Sequence, residues 1–115
     1  MKKKLMAVVL SAVMAFSMAG VAEASDTEAK DMKIAVVLHA MNSSFYTKLA
    51  DGARDAGKDF GITVDVTSPT TASNLSEQVS LIESCITADY DGIATVTWDP
   101  SGFNSVIQKA SDAGI

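Results

Sequence analysis

Two short stretches carry the side chains best suited to contact a small molecule: His39-Ala-Met-Asn-Ser-Ser-Phe-Tyr46 and Thr97-Trp-Asp-Pro-Ser-Gly102. Asn42 and Ser43 can each donate and accept hydrogen bonds, as the hydroxyls of a polyol require. Phe45 and Tyr46 bring flat faces suited to the C–H-rich side of a pyranose or furanose ring. Thr97 adds a hydroxyl, and Trp98 a large ring able to stack on a ligand or close over it. Structural duties compete at each position. Asn42 or Ser43 can cap a helix, and Phe45 falls on a helical apolar stripe, which makes Tyr46, off that stripe, the better aromatic candidate. His39, directly after an apolar run, reads more readily as a satisfied structural imidazole than as a ligand group. Asp99 reads first as a helix cap.

Other chemistries lack their parts. The first stretch has none of the glycines that close approach to a pyrophosphate demands. No pair of carboxylates divides into acid and base, and no Gly-x-Ser-x-Gly elbow occurs. His39 is the only histidine and Cys85 the only cysteine, so a second imidazole, an intrachain disulfide and a cysteine metal cluster are all excluded within these residues. Cys85 reads as a small core residue. The expectation is binding without catalysis, with no cofactor and no metal.

The elements around these stretches alternate. Lys33 to Leu38 is a continuous apolar run of strand length, as a parallel strand buried on both faces should be. From Ser44 to Phe60, Phe45, Leu49, Ala53, Ala56 and Phe60 recur at helical spacing, and Gly61 is placed to cap the helix in the left-handed region. Gly52 inside that helix costs about 1 kcal/mol relative to Ala, which predicts a close neighbour there. Ile62 to Val66 alternates as a second strand. Asn74-Leu-Ser-Glu77 has the form of a capped helix start, followed by the apolar positions Leu75, Val79, Ile82 and Ile86. Ile93 to Val96 is a third strand, and Asp99-Pro100 opens a third helix whose buried face is Phe103, Ile107 and Ala110.

Three strand–helix repeats predict an α/β fold, a doubly wound parallel sheet. With a flavodoxin-like order 2-1-3, the sheet reverses direction between the first and third strands, and ligands bind beyond the strand ends at that point. The two stretches described above are the loops that meet there. Gly114 ends the third helix and Ile115 leads toward a fourth strand, so the sequence reads as an incomplete first lobe, expected to be unable to bind a ligand alone.

The start of the chain sets its compartment. Lys2, Lys3 and Lys4 precede an apolar stretch from Leu5 to Ala19, and Ala22-Glu-Ala24 has the small-x-small form of a cleavage site. Residues 1–24 are therefore expected to be a signal peptide removed after Ala24, residues 25–32 a flexible leader, and residues 33–115 the folded part. No cysteine stands directly after the apolar stretch to carry a lipid. Setting Lys2, Lys3, Lys4 and Glu23 aside leaves six basic against thirteen acidic residues, a balance that argues against nucleic acid or an anionic membrane as partner.

Lys33 to Ile115 resembles the start of the periplasmic sugar-binding proteins that include the ribose and galactose binders. The marks are the strand Ile34 to Leu38, the loop with Asn42, Ser43, Phe45 and Tyr46, then Asp51-Gly-Ala53, the ladder Gln78, Ile82, Ile86, and Asp91-Gly-Ile93. The resemblance implies a polar ligand contact at Ser43, ring-stacking aromatics at Phe45 and Tyr46, and a polar contact at Thr97. His39 stands where the family usually has a small residue, and Trp98 where Pro is common. The implied function is capture of a monosaccharide or similar polyol in the periplasm, between two hinged lobes, for the membrane permease of an ABC importer, and in some members for a chemoreceptor. A ligand-sensing extracytoplasmic domain of a membrane receptor kinase is the rival reading. A sugar-responsive repressor is disfavoured by the exported start and acidic balance.

Overall fold

The computed structural model describes residues 31–115. The signal peptide and most of the leader expected from the sequence lie outside these residues. The elements run β1 (Lys33–Val37), α1 (Ser44–Phe60), β2 (Thr63–Thr67), α2 (Leu75–Thr87), β3 (Gly92–Thr95) and α3 (Asn104–Asp112). All strand pairs are parallel, in the order β2-β1-β3. The fold is α/β, and its sheet order is the one the sequence implied.

Alternation along β1 divides the molecule into two faces. Ala35 and Val37 point to one side, where they join Ile82 and Cys85 of α2, and Phe103 and Val106 from the α3 region, in the core. Val36 points to the other side, where Leu38, Ala94 and Val96 line a groove with Leu49 and Ala53 of α1. The helices therefore cover both faces. The α1 side is the less filled of the two, with an open apolar groove of about 390 Å³ along β1 and β3.

Helix α1 sits in a different rotational phase from the one its large apolar residues predict. Phe45, Leu49, Ala56 and Phe60 are exposed, while Ala50 and Gly57 are buried. Small residues let the helix lie close to β2. A Cβ on Gly57 would stand 2.7 Å from Cγ2 of Val64 and 3.2 Å from the carbonyl oxygen of Ile62. The glycine required by a close approach is thus Gly57 and not Gly52, where an added Cβ meets nothing within 4 Å. Gly61 ends α1 at φ 68°, as expected, and Ile62 N–H donates to the Gly57 carbonyl at 2.9 Å.

Helix α2 opens with a reciprocal cap. Asn74 Oδ1 accepts from the Glu77 N–H at 3.1 Å, and the Glu77 carboxylate accepts from Asn74 Nδ2 at 3.2 Å and from the Thr70 N–H at 2.9 Å. The third helix starts later than Asp99-Pro100 predicted. Residues 100–103 form a turn instead, because Asp99 Oδ1 accepts from the Ser101 and Gly102 N–H groups at 3.0 and 2.6 Å. Regular helix begins at Asn104. Its buried positions are Phe103 and Val106, whereas Ile107 is 49% exposed and faces a shallow groove beside β3 with Ile93 and Ile115.

Candidate functional site

The ends of β1 and β3 lie side by side, with Val37 opposite Thr95 in the register. The chain leaves both strands at the same end of the sheet, so the His39–Tyr46 and Val96–Gly102 loops meet above the switch in strand order. His39 and Trp98 join the two loops, with ring centroids 6.1 Å apart.

That contact belongs to a longer aromatic ridge. Phe45 meets Tyr46 edge-on at 5.1 Å, Tyr46 meets His39 edge-on at 5.2 Å, and Trp98 meets Phe103 edge-on at 6.3 Å. Each spacing and tilt falls in the range that ring quadrupoles favour. Phe45 is 68% exposed and Trp98 40%, while Tyr46 is half-buried against His39. The sequence left Phe45 open between a core place and ligand contact; its exposure removes the core alternative, and of the pair Phe45 is the freer ring. The shifted phase of α1 is the reason.

His39 is held by rings more than by hydrogen bonds. Its Nδ1 lies 3.5 Å from the Tyr46 hydroxyl, the outer limit of a hydrogen bond, and its Nε2 is buried with no partner among the described residues. An unpartnered buried polar group costs about 1–3 kcal/mol. The satisfied structural imidazole anticipated from sequence is thus only partly realised.

The polar candidates are left uncommitted. Ser43 occupies the N-cap position of α1, yet its side chain makes no capping bond; its carbonyl instead accepts from the N–H and hydroxyl of Thr47 at 3.1 and 2.9 Å. Asn42, Ser43 and Thr97 are exposed, and their side chains form no hydrogen bond among the described residues. Asp99 is turned to the chain itself: the backbone N–H groups of Ser101 and Gly102 hold its carboxyl below the usual carboxylate range. All seven residues singled out from sequence, His39, Asn42, Ser43, Phe45, Tyr46, Thr97 and Trp98, lie on these two adjoining loops or at the first turn of α1.

Sequence reasoning overlooked Gln78 as part of this region. It is fully buried on α2, and its side chain reaches up beneath the second loop to bond Thr95, Val96 and Trp98. The available signal was a carboxamide sitting at helical spacing within the apolar stripe of Leu75, Val79 and Ile82, where a polar group must find partners.

The lobe thus gathers polar side chains and aromatic faces at the switch in its strand order. The family described as "Periplasmic binding protein domain" matches residues 34–115, and this chain belongs to it. That family is a solute-binding class. Among solved structures, the chain is similar to a periplasmic sugar binding protein of an ABC sugar transporter from Legionella pneumophila. There the identity is 26% and the TM-score 0.70, over 73% of this chain and 31% of the other. It is also similar to an ABC transporter periplasmic solute binding protein from Actinobacillus succinogenes 130z with bound D-allose, at 25% identity and TM-score 0.71, over 74% and 30% of the two chains. A third likeness is to an ABC transporter solute binding protein from Burkholderia graminis C4D1M in complex with D-arabinose, at 31% identity and TM-score 0.69, over 76% and 29%. The chain spans about three-tenths of the length of these structures.

Proposed function

We propose that this chain supplies the first lobe of an extracytoplasmic solute-binding protein that captures a monosaccharide or similar polyol for the permease of an ABC importer. The observation that carries the reading is the meeting of two loops at the ends of β1 and β3. There the uncommitted side chains of Asn42, Ser43 and Thr97 stand beside the rings of Phe45, Tyr46 and Trp98. Hydroxyl-binding groups set around apolar ring faces suit a sugar, which is polar at its rim and C–H-rich on its faces. D-allose and D-arabinose in two of the similar structures support the same ligand class. The basic and apolar start of the sequence supports export.

In this reading the lobe binds and does not transform. Asn42, Ser43 and Thr97 orient the sugar hydroxyls, the aromatic ridge excludes water from one ring face, and a second lobe closes over the other. Closure then presents the occupied protein to the permease, the contacts to both lobes biasing a two-state hinge.

Calorimetric titration of the product of the complete reading frame with D-allose, D-arabinose and ribose tests the proposal. Saturable binding of at least one sugar is expected, weakened about ten-fold or more by Tyr46→Ala or Trp98→Ala, as loss of a buried aromatic anchor predicts. Absence of binding by every monosaccharide tried, with saturable binding of an amino acid or a peptide, overturns it.

A further inference from the structure

Gln78 is fully buried, and a buried carboxamide has to place two N–H donors and a carbonyl acceptor without help from water. Its partners allow one orientation only. The Val96 carbonyl, 2.9 Å from Nε2, can only accept, and the Trp98 indole N–H, 3.0 Å from Oε1, can only donate. The third partner is equally constrained. Thr95 Oγ1 donates its proton to the Val37 carbonyl at 2.8 Å and so accepts from Gln78 Nε2 at 3.1 Å. One side chain from α2 thereby ties together the end of β1, the end of β3 and the ring of Trp98.

The consequence for Trp98 is specific. Its ring is 40% exposed on the site, yet its one polar atom is turned inward and occupied. We infer that Gln78 is a positioning residue for the binding site: it fixes the Trp98 ring and removes the indole N–H from ligand contact, so Trp98 meets the ligand through its ring face alone. This inference rests on the sugar-binding reading given above. It deepens that reading by assigning Trp98 to the C–H-rich face of the sugar and leaving hydroxyl recognition to Asn42, Ser43 and Thr97.

Trp98 is the only tryptophan of the 115-residue sequence, so its indole can be followed directly in this chain. In the unaltered chain, the indole Nε1 proton is expected to exchange with solvent far more slowly than a free indole does, although the ring is partly exposed. Exchange at the free-indole rate overturns the inference without any variant. Gln78→Met, which keeps the shape and loses every bond, is expected to lower the fluorescence anisotropy of Trp98 and raise its access to acrylamide. Gln78→Glu, read at acid pH where its carboxyl is protonated, keeps an acceptor for the indole and a donor for the Val96 carbonyl and is expected to restore the anisotropy. Thr95→Val, which removes the bond to Val37 and the one accepted from Gln78 but leaves those of Gln78 to Val96 and Trp98, gives a partial loss and serves if Gln78→Met fails to fold. A Gln78→Met chain that melts earlier but keeps unaltered anisotropy and quenching makes Gln78 a core residue only, and the inference falls.

The ligand arm separates the two readings. With D-arabinose as probe and the complete reading frame as protein, Gln78→Met is expected to weaken binding about five- to ten-fold, the effect of losing one orienting hydrogen bond. Equal affinity in Gln78→Met and the unaltered protein overturns the positioning role. Slow indole exchange together with no binding of any sugar overturns the reading of the site while the anchoring of Trp98 stands.

Discussion

Individual side chains at the opposite end of the sheet from the loops show how local chemistry holds the fold. The Tyr90 hydroxyl donates to Asp65 Oδ2 at 2.7 Å, and the Lys33 ammonium lies 4.3 Å over the Tyr90 ring. The hydrogen bond to Asp65, followed by burial, pushes the Tyr90 phenol up to about 12 from 10.0. Because the folded chain holds this proton more tightly than the unfolded one, the contribution is complete below pH 10.0 and lost as pH rises through about 12. The melting temperature should therefore fall over that window, and Tyr90→Phe should flatten the fall; an unchanged slope in the variant would place the effect elsewhere. Cys85 follows the bland expectation: it is buried in the core, and burial raises its thiol above the ordinary value. At this scale the sequence was informative about which residues gather at the loops, since strand ends and short polar side chains can be located by pattern. It marked Gln78 as a polar residue in an apolar stripe but not its partners Thr95, Val96 and Trp98, which lie seventeen to twenty positions away.

Among the elements, α1 offers the sharpest test, because two glycines of one helix should respond with opposite signs. Gly52→Ala adds a methyl into open space and should stabilise the chain by about 1 kcal/mol through helix propensity alone. Gly57→Ala drives the same methyl into Val64, 2.7 Å away, where overpacking of about 1–3 kcal/mol outweighs that gain. Urea unfolding midpoints of the two variants should move in opposite directions; stabilisation by both would mean that propensity rather than packing decides at both sites. The same helix shows why element positions were easier to read than element faces. Its ends at Ser44 and Phe60 were marked by the polar loop before it and by Gly61 after it. Its buried face is made of Ala50 and Gly57, which carry almost no hydropathy signal, so the larger Phe45, Leu49 and Phe60 dominated the pattern. For α3 the misplaced start has a different origin. Asp99 does cap, but it caps a turn, and Gly102 lets that turn press on Leu75, 2.5 Å from where a Cβ would stand.

Over the whole molecule, β1 is the strand on which the rest depends. It is paired on both sides, and Ala35 and Val37 are buried in the core. Amide exchange is accordingly expected to be slowest in β1, with β2 and β3, each bonded to one neighbour in this sheet, exchanging faster. Slower exchange in β2 or β3 than in β1 would contradict the observed strand order.

The position of β1 also has a meaning in time. The strand that stands in the middle of the sheet is made first, and the residues that finish its second side come 58 positions later, as the pairing of Lys33 with Asp91 and of Val37 with Thr95 shows. While a ribosome adds those residues, at about 5–20 per second, the central strand has one flank open for several seconds. The polar loop that follows β1 emerges early, but the ring of Trp98 that completes the ridge comes more than fifty residues later, so the site is assembled only once synthesis has passed the third strand.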